Sequence, residues 1–111
     1  MATPFLPTSE QIELIKKINI SINDDPHWIG EENFCVSAMV EKLTRLQTEG
    51  IPLSAMTPTT VDAGPRYNNE AHSLLKIGGQ LNDKPWCVFL DINQPGLLST
   101  QDLTDLGYTI L

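Results

Sequence analysis

The order of patterns along the chain predicts a fold with helices first and strands second. Two stretches in the first half carry apolar residues at helical spacing. Two apolar runs in the second half lie on either side of a turn, and a short capped turn and a β-rich tail follow them. Helices and strands segregated in this way belong to mixed folds in which helices pack on an antiparallel sheet.

Each element has its own local reason. Thr8 or Ser9 caps a first helix, in which Ile12, Ile15, Ile18 and Ile22 form one apolar stripe. Asn23-Asp24-Asp25-Pro26 is a breaker cluster that ends it, and His27, Trp28 and Gly30 form a connector. Asn33 reads as the N-cap of a second helix, from Phe34 to about Glu49. Its apolar face is Cys35, Ala38, Met39, Leu43 and Leu46, Gly50 is a left-handed cap, and Pro52 enforces the stop. The pattern from 53 to 71 is weak. Thr59-Thr60-Val61 fits a short edge strand, and Gly64-Pro65 and Asn68-Asn69 signal turns. His72 to Gly79 and Lys84 to Asp91 then predict a hairpin around a four-residue loop, 80–83. Ser99 or Thr100 caps a helical turn, Gly107 follows, and Tyr108-Thr109-Ile110-Leu111 reads as a last strand.

Composition bounds the function. The 111 residues suit a single domain, 1–111, and 41% apolar with 19% charged residues is globular composition. A net charge of −7 leaves no basic stripe for nucleic-acid phosphates and disfavours anionic membrane surfaces. A basic protein partner or a cationic substrate is compatible with it. No apolar segment approaches the ~18 residues of a membrane span, and Met1 to Pro7 lacks the features of a Sec-type signal peptide. Two cysteines, Cys35 and Cys87, read as reduced thiols rather than one disulfide. The expected setting is therefore the cytoplasm, or export without a Sec-type signal. His27, Cys35, His72 and Cys87 are too scattered for a zinc site, and no cofactor is expected.

The residues that point to chemistry are Cys35, His72 and Asp91. Cys35 falls at the second position of its helix, where unpaired N–H groups and the helix dipole favour a thiolate. Taken alone, it fits a small buried core residue as well. With the loop at 80–83, Gly79 faces Lys84 and His72 falls directly opposite Asp91, on one face of the sheet. The same register pairs Leu74 with Phe89, Leu75 with Val88 and Ile77 with Trp86. A carboxylate beside an imidazole fixes its tautomer and stabilises its cation, although a polar pair at strand ends also fits a plain surface dyad. Together the three supply nucleophile, base and orienting group. Trp28 is a candidate wall or oxyanion donor, or else a core anchor; Asn33 is a helix cap or a donor near the substrate. Cys87, inside a strand, reads as structural, and His27 as solvent-facing.

The stretch Cys35-Val36-Ser37-Ala38 through Leu43 to Gly50-Ile51-Pro52, with His72 through Gly78 and Trp86 to Asp91, resembles the transglutaminase-like superfamily. It is most similar to bacterial transglutaminase-like cysteine proteinases, a papain-like group, over about residues 28 to 93. Asn33-Phe34 and Val36 stand where that family often has Gly-Asp and an acidic residue. The resemblance implies an α+β fold, a Cys-bearing helix packed on a small antiparallel sheet, and a Cys35-His72-Asp91 triad. The implied function is a cofactor-free thiol hydrolase, a cysteine peptidase acting on protein or peptide amides. Glutamine deamidation or transamidation by the same triad, as in a bacterial effector or toxin, is the alternative chemistry. An acidic, non-catalytic binding module, of adaptor or immunity type, is the alternative without chemistry.

Overall fold

The chain opens its first helix with a reciprocal cap. The Thr8 hydroxyl accepts the Gln11 N–H at 3.1 Å, and the Gln11 side chain accepts the Thr8 N–H at 2.8 Å. In the computed structural model, which describes residues 5–28, 30, 34–78 and 86–111, this helix, α1, spans Ser9–Asn23. It buries Ile15, Ile18 and Ile22, and a single 3-10 turn at Pro26–Trp28 follows. Helix α2 spans Phe34–Thr48; its expected cap, Asn33, lies outside the described residues. Gly50, at φ 103°, turns the chain left-handed at its end. The Ile51 N–H then reaches the Leu46 carbonyl and the Gly50 N–H the Gln47 carbonyl, with Leu46 and Ile51 both buried. This pairing satisfies the carbonyls that the last helical turn would otherwise leave open.

Four strands follow: β1 Met56–Asp62, β2 Ala71–Gly78, β3 Cys87–Leu90 and β4 Thr109–Ile110. They form one antiparallel sheet in the order β3-β2-β1-β4. Helix α3, Thr100–Asp105, is capped by Ser99 with Asp102 as its reciprocal partner. The described residues thus form an α+β fold.

The sheet separates two apolar clusters. Leu75, Ile77, Met56 and Leu90 pack with α1 and α2 residues, among them Ile15, Ile22, Ala38 and Leu46. Leu74, Val61 and Phe89 pack instead with Leu103 and Tyr108. The alternation Leu74/Leu75 follows from the two-residue period of a strand that is covered on both sides. His72 shares Leu74's face and pairs with Val61 across β1.

Two expectations about the strands are corrected. The predicted short edge strand at Thr59-Thr60-Val61 is a seven-residue strand that pairs with β2 along its whole length. Pro58 is tolerated there because β4 covers only Val61 and Asp62, which leaves the other side of the strand an open edge. The hairpin register also differs. Leu75 pairs with Leu90, Lys76 with Phe89, Ile77 with Val88 and Gly78 with Cys87, a slip of two residues from the predicted pairing. The described strands stop at Gly78 and Cys87; the expected loop 80–83 and the Gly79–Lys84 pair lie outside the described residues. An even slip keeps every side chain on its original face, so the Leu74 and Phe89 faces still coincide.

Candidate active site

Asp91 sits just past the end of β3 and is fully buried, and three donors converge on its carboxylate. His72 Nε2 lies 2.7 Å from Oδ1, the Asn93 N–H donates to the same oxygen at 2.9 Å, and the Tyr108 hydroxyl donates to Oδ2 at 2.9 Å. Its backbone carbonyl is held as well, by the Gln94 N–H and by Asn23 Nδ2 at 3.0 Å. Asn23 also donates to the Gln94 carbonyl at 2.9 Å, so the C-terminal turn of α1 anchors this bend.

Burial pushes the Asp91 carboxyl up, but the bonds from His72, Asn93 and Tyr108 outweigh it and hold the group below its usual range. The carboxylate is therefore an acceptor, and Nε2 of His72 carries the shared proton. That fixes the tautomer and leaves Nδ1 as the ring nitrogen open to another partner. Burial lowers the His72 pKa, yet the hydrogen bond and charge of Asp91, followed by those of Cys35, carry it above its ordinary value. Tyr108 closes the other side, its ring 5.6 Å from the imidazole at an interplanar angle of 61°. Desolvation and the Asp91 charge push its hydroxyl well above the usual phenol range, so it remains a donor.

Cys35, the second residue of α2, is partly exposed, lines the same cleft as His72 and contributes to raising its pKa. Cys35, His72, Asn93 and Tyr108 line one open cleft of about 400 Å³. The three residues singled out from the sequence are thus brought together, and His72 meets Asp91 diagonally rather than directly across the hairpin. Cys35 and Cys87 form no disulfide, Cys87 is buried in β3, and His27 is exposed, as expected. Cys87 pairs with Gly78 and not with Lys76 as the predicted register required.

Of the two readings of Trp28, the core anchor holds and the oxyanion donor does not. It is buried against the helices, and its indole N–H donates to the Ile22 carbonyl at 2.7 Å. That donor completes the end of α1 and is not available to an oxyanion. Asn33 lies outside the described residues.

The 63–70 loop also lines the cleft, through Ala63, Tyr67 and Glu70, and Ala71 follows it in the lining. The loop is closed at its neck by the Ala63 N–H on the Glu70 carbonyl at 2.9 Å, and Tyr67 and Asn69 both donate to the Gly64 carbonyl. Asn68 and Asn69 take left-handed backbone angles, φ 57° and 54°. Gly64, at φ 85°, is required here, because a Cβ would come within 2.7 Å of the Gly107 carbonyl. That approach holds the loop against the segment that carries Tyr108.

Three participants escaped the sequence reading. Tyr108 and Asn93 carry no spacing signal, although a buried tyrosine hydroxyl always needs a partner. Lys42 is the third, on α2 two turns after Cys35 and only 1% exposed. Desolvation lowers its pKa to about 8 against the opposing influence of the Asp91 charge. No other described residue is hydrogen-bonded or ion-paired to it. Among the described residues, no helix is long and apolar enough to cross a membrane. Comparison with protein-family models, curated proteins and solved structures found no match.

Proposed function

We propose that this chain is a cysteine peptidase of the papain- and transglutaminase-like kind, with Cys35 as nucleophile, His72 as base and acid, and Asp91 as the orienting carboxylate. The observation that carries this reading is an imidazole locked by a buried carboxylate beside a partly exposed thiol, in an open cleft. The order of a Cys-bearing helix, a His-bearing strand and an Asp at the next strand's end supports the family resemblance.

The Cys35 proton passes to His72, and the sulfur attacks the amide carbonyl carbon to form a C–S bond. In this reading the unpaired first-turn N–H groups of α2 receive the negative oxygen. The C–N bond then breaks as His72 returns the proton to the leaving nitrogen. Water, losing a proton to His72, attacks the thioester; the C–S bond breaks and the thiol is restored as the carboxylic product leaves. Asp91 keeps Nδ1 facing the sulfur and stabilises the imidazolium at each step.

The test is hydrolysis of a mixed peptide library followed by mass spectrometry, with ammonia measured in parallel. New peptide termini are expected. Cys35→Ala should reduce their appearance about a thousandfold or more while leaving the fold intact. Ammonia release with a one-dalton gain would move the reaction to a glutamine side chain. Full activity in Cys35→Ala would rule out this nucleophile, and a wild-type protein without turnover would favour a binding module.

A further inference from the structure

The part of the cleft lined by the 63–70 loop has a definite chemistry. Tyr67 lines the cleft and is 47% exposed, so its aromatic side chain is open to solvent. Glu70 lines the same cleft and immediately precedes the Ala71-His72 start of β2. Glu70 is the only carboxylate among the described residues lining the cleft, and no lysine or arginine lines it. Arg66, the one cation in the loop, is not part of the lining, and no described cation lies within ion-pair distance of Glu70. An aromatic face next to an unmatched carboxylate suits a side chain with an apolar stem and a positive head.

Two further features favour such an occupant. The loop is held by the Ala63–Glu70 neck, by two amides on the Gly64 carbonyl and by the Gly64–Gly107 approach, so little order is lost when a ligand arrives. The net charge of −7 also attracts positively charged molecules at long range.

We propose that the cleft beside Cys35 receives a lysine or arginine side chain of the substrate, with its stem along Tyr67 and its cationic head at Glu70. This rests on the reading of Cys35 as the nucleophile. The subsite places the cation within the same cleft as the reacting carbonyl, so Glu70 governs which amide is presented to the sulfur.

Two measurements separate this subsite from the reaction itself. The first compares the rates at which a cationic and an anionic methanethiosulfonate label Cys35, read by site-resolved mass spectrometry. The wild type should favour the cationic reagent, and Glu70→Gln should reduce that preference about fivefold, as expected for a carboxylate in the same partly solvated cleft as the thiol. Glu70→Lys should invert it. The second compares cleavage of library peptides with basic, neutral or acidic residues next to the scissile bond; basic residues should be enriched about tenfold, and Glu70→Gln should erase the enrichment. An unchanged labelling ratio in both variants, or cleavage indifferent to basic residues, would overturn the subsite while leaving the peptidase reading intact. A labelling ratio that depends on Glu70, with no peptide cleaved, would retain the cation subsite and overturn the peptidase.

Discussion

Asp91 and Lys42 are both buried charged side chains, and the molecule treats them in opposite ways. Asp91 receives donors on both oxygens and has its own carbonyl held by α1. Lys42 lies in the helical part of the molecule, with no hydrogen-bonding partner among the described residues, and feels Asp91 only through space. A satisfied buried network selects one arrangement of its members. A desolvated ammonium destabilises the fold and lowers its own pKa instead. The site end is therefore built for geometry. The helical end tolerates a cost whose evident return is a positive potential on the carboxylate that orients His72.

The largest effect should come from removing the charge at the satisfied end. Asp91→Asn keeps the shape but no longer holds the imidazole in one tautomer or supports its cation, and kcat/KM should fall about a thousandfold or more. Peptide turnover read beside circular dichroism is the measurement. Activity within tenfold of the wild type would remove Asp91 from the mechanism and break the contrast.

Next is the lysine. With its pKa lowered from 10.5 to about 8, Lys42 destabilises the folded state by about 3 kcal/mol at neutral pH. The sign follows from proton binding: between about 8 and 10.5 the unfolded chain binds more protons, so this group makes stability rise with pH in that interval. Lys42→Met should raise the unfolding free energy at pH 7 by roughly that amount, and the gain should shrink towards pH 10.5. Denaturant unfolding at pH 7 and pH 10 tests this. Destabilisation at pH 7 would show that the ammonium is paired and that the two ends are alike.

The smallest effect concerns the His72–Asp91 pair, about 2 kcal/mol for a buried charge-assisted bond. The Asp91 contribution is present above its ordinary pKa and is lost as pH falls through its depressed folded value. The His72 contribution is complete below its ordinary pKa and is lost as pH rises through its elevated folded value. The stability difference between wild type and His72→Ala should thus be greatest between about pH 4 and 6.5 and decline on either side. A difference that grows above neutrality would contradict the assigned directions.

Both long helices were legible because helical periodicity and end signals are local: the isoleucine stripe, the Thr8 cap and the Gly50-Pro52 stop lie within a few residues of what they control. The hairpin was legible as a pair of faces but not as a register. The even slip nevertheless kept His72 and Asp91 within reach. β1 was poorly visible because its Pro58 and threonines read as an edge, whereas full pairing with β2 is set by tertiary packing. Tyr108, Asn93 and Lys42 were invisible for the same reason, since each acquires its role only when distant segments meet. Trp28 was legible as a core anchor, but the partner of its indole N–H was not, because the helix end that it caps is fixed only by the fold.

The amide of Asn23 gives the first helix a significance beyond packing. It grips the bend that presents the Asp91 carboxylate, so the geometry of the proposed triad depends on a segment almost seventy positions upstream. A shortened version without α1 would forfeit the clamp along with the isoleucines. It would then lose activity through a displaced anchor even if the remaining sheet and thiol stayed folded. Swapping this helix among engineered variants is accordingly a way to tune turnover without touching any residue in the cleft.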